Sequence, residues 1–469
     1  MTSARTLARP IALAIAAVLG LAGGWVVAQT GAVSEPATAP AAAPTTAEEL
    51  AALKSSLAAQ RELLTAQLRQ LRDQQAQIEA LERKLGGAVL APATSPPPVV
   101  TGRYDAVGVV VGGSLRTTVT TTGARMLPDA TPFFVLPKVP GVREGTAKID
   151  ARLSTLLVAI RGREYGGFQL GGVIQAQLFD GDLFSGRYGV YPGVAYIEAV
   201  NERWRFAAGL QPDVFSPKIP RMVDSMSGMA GSGNPGNSMK PQLRAERFVV
   251  TAGGRLTLQA ALADAQPSNI KPPSLESTEN TGEPNYEARI AYAHGSADAA
   301  VSMVPFPEWE IGFSAATGSF RTFSIGNAFP AYNTRLEGIA LEGSTRFGQR
   351  LGIQGELYRG RALAPYLGGI FQTVASDRTP VRSEGGWAEI AWWWRPTLHS
   401  HLGYGRDRAW STAAAQPLLR VNETAFANLY WDPSPMTTLG LEATWRRTGF
   451  DGDFDNQGLA LMLSSELRF

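Results

Sequence analysis

The chain has no cysteine. Disulfides, zinc–thiolate centres and thiol nucleophiles are therefore excluded. Histidine is scarce: His294, His399 and His401 are the only three. Net charge is also nearly absent, with 43 Lys and Arg against 41 Asp and Glu. That balance argues against a nucleic-acid binder, which carries a strongly basic face. Beyond the first residues no apolar run is long enough to cross a membrane as a helix. What the 469 residues do contain is 50 glycines with 10 Trp, 12 Tyr and 19 Phe, a composition that suits many strands and turns.

The N-terminus reads as an export signal. Arg5 and Arg9 form a positive start, Ile11 to Val27 an apolar stretch, and Val26-Val27-Ala28 a small-residue cleavage site. A signal peptide is expected over 1–28, with an uncleaved anchor as the alternative. A Pro/Ala linker follows at 29–46 (Pro36, Pro40, Pro44), and a second, Pro-rich linker at 87–100 carries Pro96-Pro97-Pro98.

Between the linkers, 47–86 repeats every seven residues. Leu50, Leu57, Leu64, Leu71, Ile78 and Leu85 share one heptad position, and Leu53, Gln60, Gln67, Gln74 and Leu81 follow three residues after the first five. This is an a/d seam with polar layers that fix register and oligomer state. It would run about 60 Å. The expectation is a parallel coiled coil on the periplasmic side, a trimer in preference to a dimer; the alternative is a disordered spacer.

From 101 to 469 the period changes to two. Leu459, Leu461, Leu463, Leu467 and Phe469 alternate with Ala460, Met462, Ser464, Glu466 and Arg468. Leu439 to Trp445, Leu351 to Leu357 and Phe168 to Leu178 alternate likewise. A soluble sandwich alternates too. Strand lengths near ten residues, aromatics gathered at Trp392-Trp393-Trp394, Tyr430-Trp431 and Trp445, and a terminal strand ending on Phe469 favour a transmembrane barrel. The last feature resembles the assembly signal of bacterial outer-membrane proteins, read by a barrel-assembly machinery. Short turns (162–164, 201–202, 253–254, 348–350, 432–436) alternate with long connections (120–145, 212–240, 264–285, 360–385, 407–418, 448–457). Reading Ala299 to Thr317 as one strand kinked at Pro305 and Pro307 gives an even sixteen. The expected fold is all-β: a 16-stranded antiparallel transmembrane β-barrel preceded by an α-helical coiled coil, in the outer membrane of a Gram-negative bacterium.

Several segments of 101–469 resemble the DcaP-like outer-membrane porins and, more distantly, the phosphate-selective porin O and P group. They are Gly209-Leu210-Gln211 with Asp213 and Phe215, the Gly/Pro/Asn run at 231–237, Pro241 to Arg244, Pro284 to Arg289, Glu356 to Arg361 with Gly368-Gly369, Ala427 to Pro433, and Leu439 to Glu442. Pro212-Asp213 stands where that family usually has Trp-Ser after Gly-x-Gln, and Asn285 where it has Asp. The resemblance implies a sixteen-stranded homotrimer in outer-membrane lipid, passing small, mostly anionic solutes, with an inward-folded loop at 212–240.

A pore selects by charges at its narrowest point. Lys218, Arg221, Lys240, Gln242, Arg244 and Arg289 are the expected constriction and anion-binding residues, against Asp213, Asp224 and Glu246. Each could equally be a solvated loop charge or a structural lumen pair. Asp451, Asp453 and Asp455 space like the start of an EF-hand, but Asn456 and Met462 stand where glycine and glutamate are required. His399 and His401 would face one way on a strand, with no third ligand evident. No catalytic set stands out; no enzyme activity, cofactor or metal is expected. The rivals to a passive porin for small carboxylates or phosphate are a tether, its coil reaching peptidoglycan and its barrel plugged, and an outer-membrane enzyme.

Overall fold

The computed structural model describes residues 108–469 apart from 182–185, 225–227, 237, 265–275, 296, 298–301, 325–331, 376–377, 413–415 and 453. The export signal, both linkers and the heptad seam lie outside the described residues.

Sixteen wall strands follow in chain order: β1 (Gly108–Thr122), β2 (Thr146–Asp150 and Thr155–Tyr165), β3 (Phe168–Gln177), β4 (Tyr191–Val200), β5 (Trp204–Pro212), β6 (Met239–Thr251), β7 (Gly254–Ala263), β8 (Glu276–Asn280 and Asn285–His294), β9 (Trp309–Ser324), β10 (Tyr332–Phe347), β11 (Leu351–Arg361), β12 (Arg382–Arg395), β13 (Leu398–Trp410), β14 (Leu419–Ser434), β15 (Thr437–Phe450) and β16 (Phe454–Arg468). β2 and β8 are each interrupted once, and both pieces of each pair with the same neighbour. Every strand is antiparallel to the next. The sheet closes where β1 pairs with β16, from Ser114 opposite Arg468 to Thr122 opposite Ala460. Phe469 seals the seam by exchanging two backbone hydrogen bonds with Gly113, both at 3.1 Å. Closure joins the first strand to the last, and a wall in lipid needs its backbone groups paired within the sheet.

The alternation sorts side chains as a barrel in lipid does. Leu441, Leu459, Leu461 and Leu463 are exposed on the outer wall, while Glu442, Thr444, Ser464 and Met462 are buried inside. Tight turns join the strands at one end, and at the other lie connections as long as 123–145, 213–238 and 362–381. In outer-membrane barrels the short-turn end is periplasmic.

Three details depart from the sequence reading. The Ala299–Thr317 strand does not form: β9 begins at Trp309, and Pro305 and Pro307 lie in the connection before it. Proline cannot donate to a ladder, so it is expelled from the wall. That connection instead turns inward, and Val304 is buried against Ala391 and Trp393. β2 runs on past 162–164, with a register shift between Arg161 and Glu164, and turns at Gly166-Gly167. Of the tryptophan triplet, Trp392 and Trp394 face outward, but Trp393 faces inward and stacks on His399. The total of sixteen is unchanged.

Candidate pore constriction

The third long loop, 213–238, does not rise away from the barrel; it makes an out-and-back circuit along the inner wall. Its root is a polar lock. The Asp213 N–H donates to the Ser238 carbonyl at 3.0 Å, and Ser238 Oγ donates to Asp213 Oδ2 at 2.6 Å. Lys240 Nζ lies 3.4 Å from Asp213 and 3.9 Å from Glu287, over the Tyr366 ring, and is wholly buried. Gln242 Nε2 donates to the Gln211 and Pro212 carbonyls at 3.0 and 2.9 Å. Burial pushes the Asp213 carboxyl up even beside Lys240, and holds the Tyr366 hydroxyl well above the usual phenol range as a donor to Glu287.

From the root the outbound limb is held by side chains reaching in from successive strands. The Val214 N–H donates to Glu287 (β8) at 2.7 Å, the Ser216 N–H to Ser314 (β9) at 3.0 Å, the Arg221 N–H to Glu389 (β12) at 2.7 Å and the Val223 N–H to Glu442 (β15) at 2.7 Å. Gln354 (β11) donates to the Ile219 carbonyl at 3.2 Å, Asn428 (β14) to that of Arg221 at 2.8 Å, and Arg116 (β1) to that of Val223. Asp224 closes the limb with a buried pair to Arg446 at 3.3 Å. A buried backbone N–H left unpaired is costly, so each glutamate that accepts one both satisfies and fixes the loop backbone.

The return limb, 228–238, needs its glycines. At Gly233 (φ +102°) a Cβ would lie 2.1 Å from the Gly386 carbonyl oxygen of the wall; at Gly236 (φ +90°) it would meet the Ser216 carbonyl at 2.3 Å. Only glycine takes these angles and allows backbones this close. The limb leans on the loop 362–381 through Gly231 N–H to Leu367 and Gly236 N–H to Tyr366. Apolar side chains of the long loops pack on the inward face of the wall, Phe215 with Leu363 and Tyr366, while Phe133 and Phe134 of the loop 123–145 each meet Phe371 edge-to-face.

The structure thus divides the six expected constriction residues. Lys240 and Gln242 are corrected: they are enclosed in the loop root, where desolvated charge and amide must be paired, and they do not face the channel. Arg244 bonds Glu246 at 2.5 Å and Arg289 bonds Glu310 at 2.9 Å and Glu342, with side chains 14% and 10% exposed. Lys218 reaches Glu310 at 3.3 Å. Arg221 differs. Its backbone is clamped, its guanidinium lies 5.0 Å from the Tyr430 ring centre, it is exposed, and among the described residues no carboxylate lies within ion-pair distance of it. Sequence reasoning missed the anchors Glu287, Glu389 and Glu442 and the clamp Asn428. It also missed the use of the histidines: His401 Nδ1 contacts Glu389 at 2.5 Å, and His399 Nδ1 contacts His401 Nε2 at 2.8 Å, so the pair braces the glutamate that holds Arg221. Of the acidic triplet, Asp451 and Asp455 pair with Arg420 and Arg447, and Asp453 lies outside the described residues.

A sixteen-stranded closed barrel with an inward third loop is the fold of outer-membrane porins. No family model matches the chain, and no curated protein matches it. Among solved structures it is similar to the outer membrane channel DcaP of Acinetobacter baumannii, with a TM-score of 0.59 at 16% identity over 78% of this chain and 98% of that one. It is also similar to an anion-selective porin from Comamonas acidovorans (TM-score 0.50, 10% identity, 78% and 100% covered). A loop-deletion mutant of OmpT, an outer membrane protein of Vibrio cholerae, gives the same TM-score, identity and coverage. The sequence resemblance to DcaP-like porins is thus matched by a structural likeness to a DcaP channel.

Proposed function

We propose that this protein is an outer-membrane channel for passive diffusion of small hydrophilic solutes, and that it favours anions such as small carboxylates or phosphate. The observation that carries the reading is the clamped loop 213–238, which narrows a closed barrel and presents Arg221 without a carboxylate partner among the described residues. A fixed positive charge in a narrow, partly dehydrated passage acts strongly on a passing ion. Lys218, Arg244 and Arg289 contribute less, because Glu310, Glu246 and Glu342 offset their charge. The anion-selective character of the Comamonas porin supports the same direction.

The working form in this proposal is a homotrimer, joined through the heptad seam in the periplasm. Phe469, paired with β1, serves there as the assembly signal. Single-channel conductance of purified trimer in planar bilayers tests the function: discrete ohmic steps support it, and a silent, folded protein removes it.

A second reading has one observation in its favour. Three long loops share an apolar packing inside the barrel, with Phe133 against Phe371 at 5.2 Å between ring centres. A plug built this way would leave the barrel a tether, with the coil reaching peptidoglycan. The same recording separates the two.

A further inference from the structure

On the outer wall, the loop-side ends of three neighbouring strands carry five arginines and a single acid. Arg359 and Arg361 stand on β11, Arg382 on β12 with Glu384, and Arg406 and Arg408 on β13. All point outward, since their alternates Ser383, Asp407 and Tyr358 are buried inside. Arg361 and Arg382 are directly opposite across the β11–β12 ladder. Like charges so placed destabilise a sheet unless something between them compensates.

The available acids compensate only in part. Glu337 takes Arg361 at 2.9 Å, and Glu423 takes Arg406 at 3.3 Å while shared with Arg447 at 3.0 Å. Glu384 reaches Arg408 only at 3.9 Å. Arg359 stands opposite Glu384 across the β11–β12 ladder, but among the described residues neither it nor Arg382 has an acid within ion-pair distance.

Immediately toward the membrane the same three strands form a groove. An open surface depression of about 530 Å³ lies over Gly386 and Ala388 of β12, flanked by Leu357 of β11 and Tyr404 of β13 and lined also by Glu384, Arg406 and Arg408. Beyond it the wall is plain apolar, with Ile390 and Leu402 exposed. An apolar slot thus opens, at its loop-side end, into a surplus of positive charge.

We propose that this face binds a phosphorylated, acylated lipid of the outer leaflet, with an acyl chain in the Gly386–Ala388 groove and a phosphate among Arg359, Arg382 and Arg408. Guanidinium forks match phosphate oxygens in bidentate geometry, and an anion between Arg361 and Arg382 removes their repulsion. Depth agrees with this assignment. Arginine on a barrel's lipid face is costly at the midplane and nearly free at the interface, where headgroup phosphates lie. The inference rests on the outer-membrane reading but not on conduction.

The test uses full-length protein purified in mild detergent and delipidated, with native mass spectrometry after adding bisphosphorylated lipid A or its dephosphorylated form. Wild type should retain the phosphorylated lipid about tenfold better than the dephosphorylated one, the equivalent of one charge-assisted contact. The Arg359→Gln/Arg382→Gln/Arg408→Gln variant should lose that preference while still showing heat-modifiable migration. Arg382→Gln alone, a milder change, should weaken the preference if the triple variant does not fold. Ala388→Trp should weaken retention of both lipids by filling the groove. Equal retention of the two lipids by wild type, or an unchanged preference in Arg382→Gln, overturns the proposal. So does a variant that falls from trimer to monomer with lipid binding intact, because the face would then be an interface between copies. A barrel that binds the lipid but carries no current would overturn the channel reading alone.

Discussion

The backbone N–H of Arg221 donates to Oε2 of Glu389 at 2.7 Å, tying a loop tip to a strand 168 residues further along the chain. Replacing Glu389 with Ala removes that acceptor and the partner of His401. A buried polar group left unsatisfied costs about 1–3 kcal/mol, so the loop 213–238 should detach locally while the sixteen-stranded wall survives. Current recordings should show a noisier open level with heat-modifiable migration unchanged. A quiet, wild-type trace would mean that Glu389 does not hold the loop.

Lys240 gives the opposite pattern to a selectivity residue. It is wholly buried between Asp213 and Glu287. Lys240→Met leaves two carboxylates enclosed without their cation, and breaking a buried pair in this way costs about 3–5 kcal/mol. The variant should unfold at distinctly lower temperature or denaturant, yet any channel that forms should keep its ion preference. A large change of preference at unchanged stability would return Lys240 to the pore.

Much of the wall was legible in the sequence because a period of two is a local signal. Leu459, Leu461 and Leu463 face out and Ser464 faces in, as their alternation implies. The failures were where local rules compete. Pro305 and Pro307 interrupt an otherwise strand-like run, and the chain resolves the conflict by moving them into a turn. At the constriction, the loop and its basic residues could be picked out, but not which charges are spent on the fold. Glu287, Glu389 and Glu442 sit at inward positions of their strands, a visible signal. Their targets, the N–H groups of Val214, Arg221 and Val223, are 73, 168 and 219 residues away, and no spacing rule reaches that far.

Phe469 joins the last strand to the first through Gly113. Deleting Phe469 should lower the yield of folded protein in membrane fractions, because the seam then closes without its last two hydrogen bonds. Normal yield of heat-modifiable protein in the deletion would count against a role in assembly.

An isolated 45–87 peptide should sediment as a trimer, the seam from Leu50 to Leu85 supplying the interface. Leu64→Asp together with Leu71→Asp places a charge in two layers and should leave it monomeric. A wild-type peptide that is monomeric at high concentration would remove the coiled coil from the account.

The most direct measurement is the zero-current potential of the channel under a salt gradient, wild type against Arg221→Glu, with Arg221→Gln as the neutral control. Low salt matters, because the screening length is about 10 Å at 0.1 M and about 3 Å at 1 M. The wild-type potential should have the sign of anion preference, Arg221→Gln should reduce it, and Arg221→Glu should move it toward cations, with all three converging at high salt. A wild-type potential favouring cations, or three identical potentials in low salt, would contradict the central claim that the clamped Arg221 sets the field in the pore.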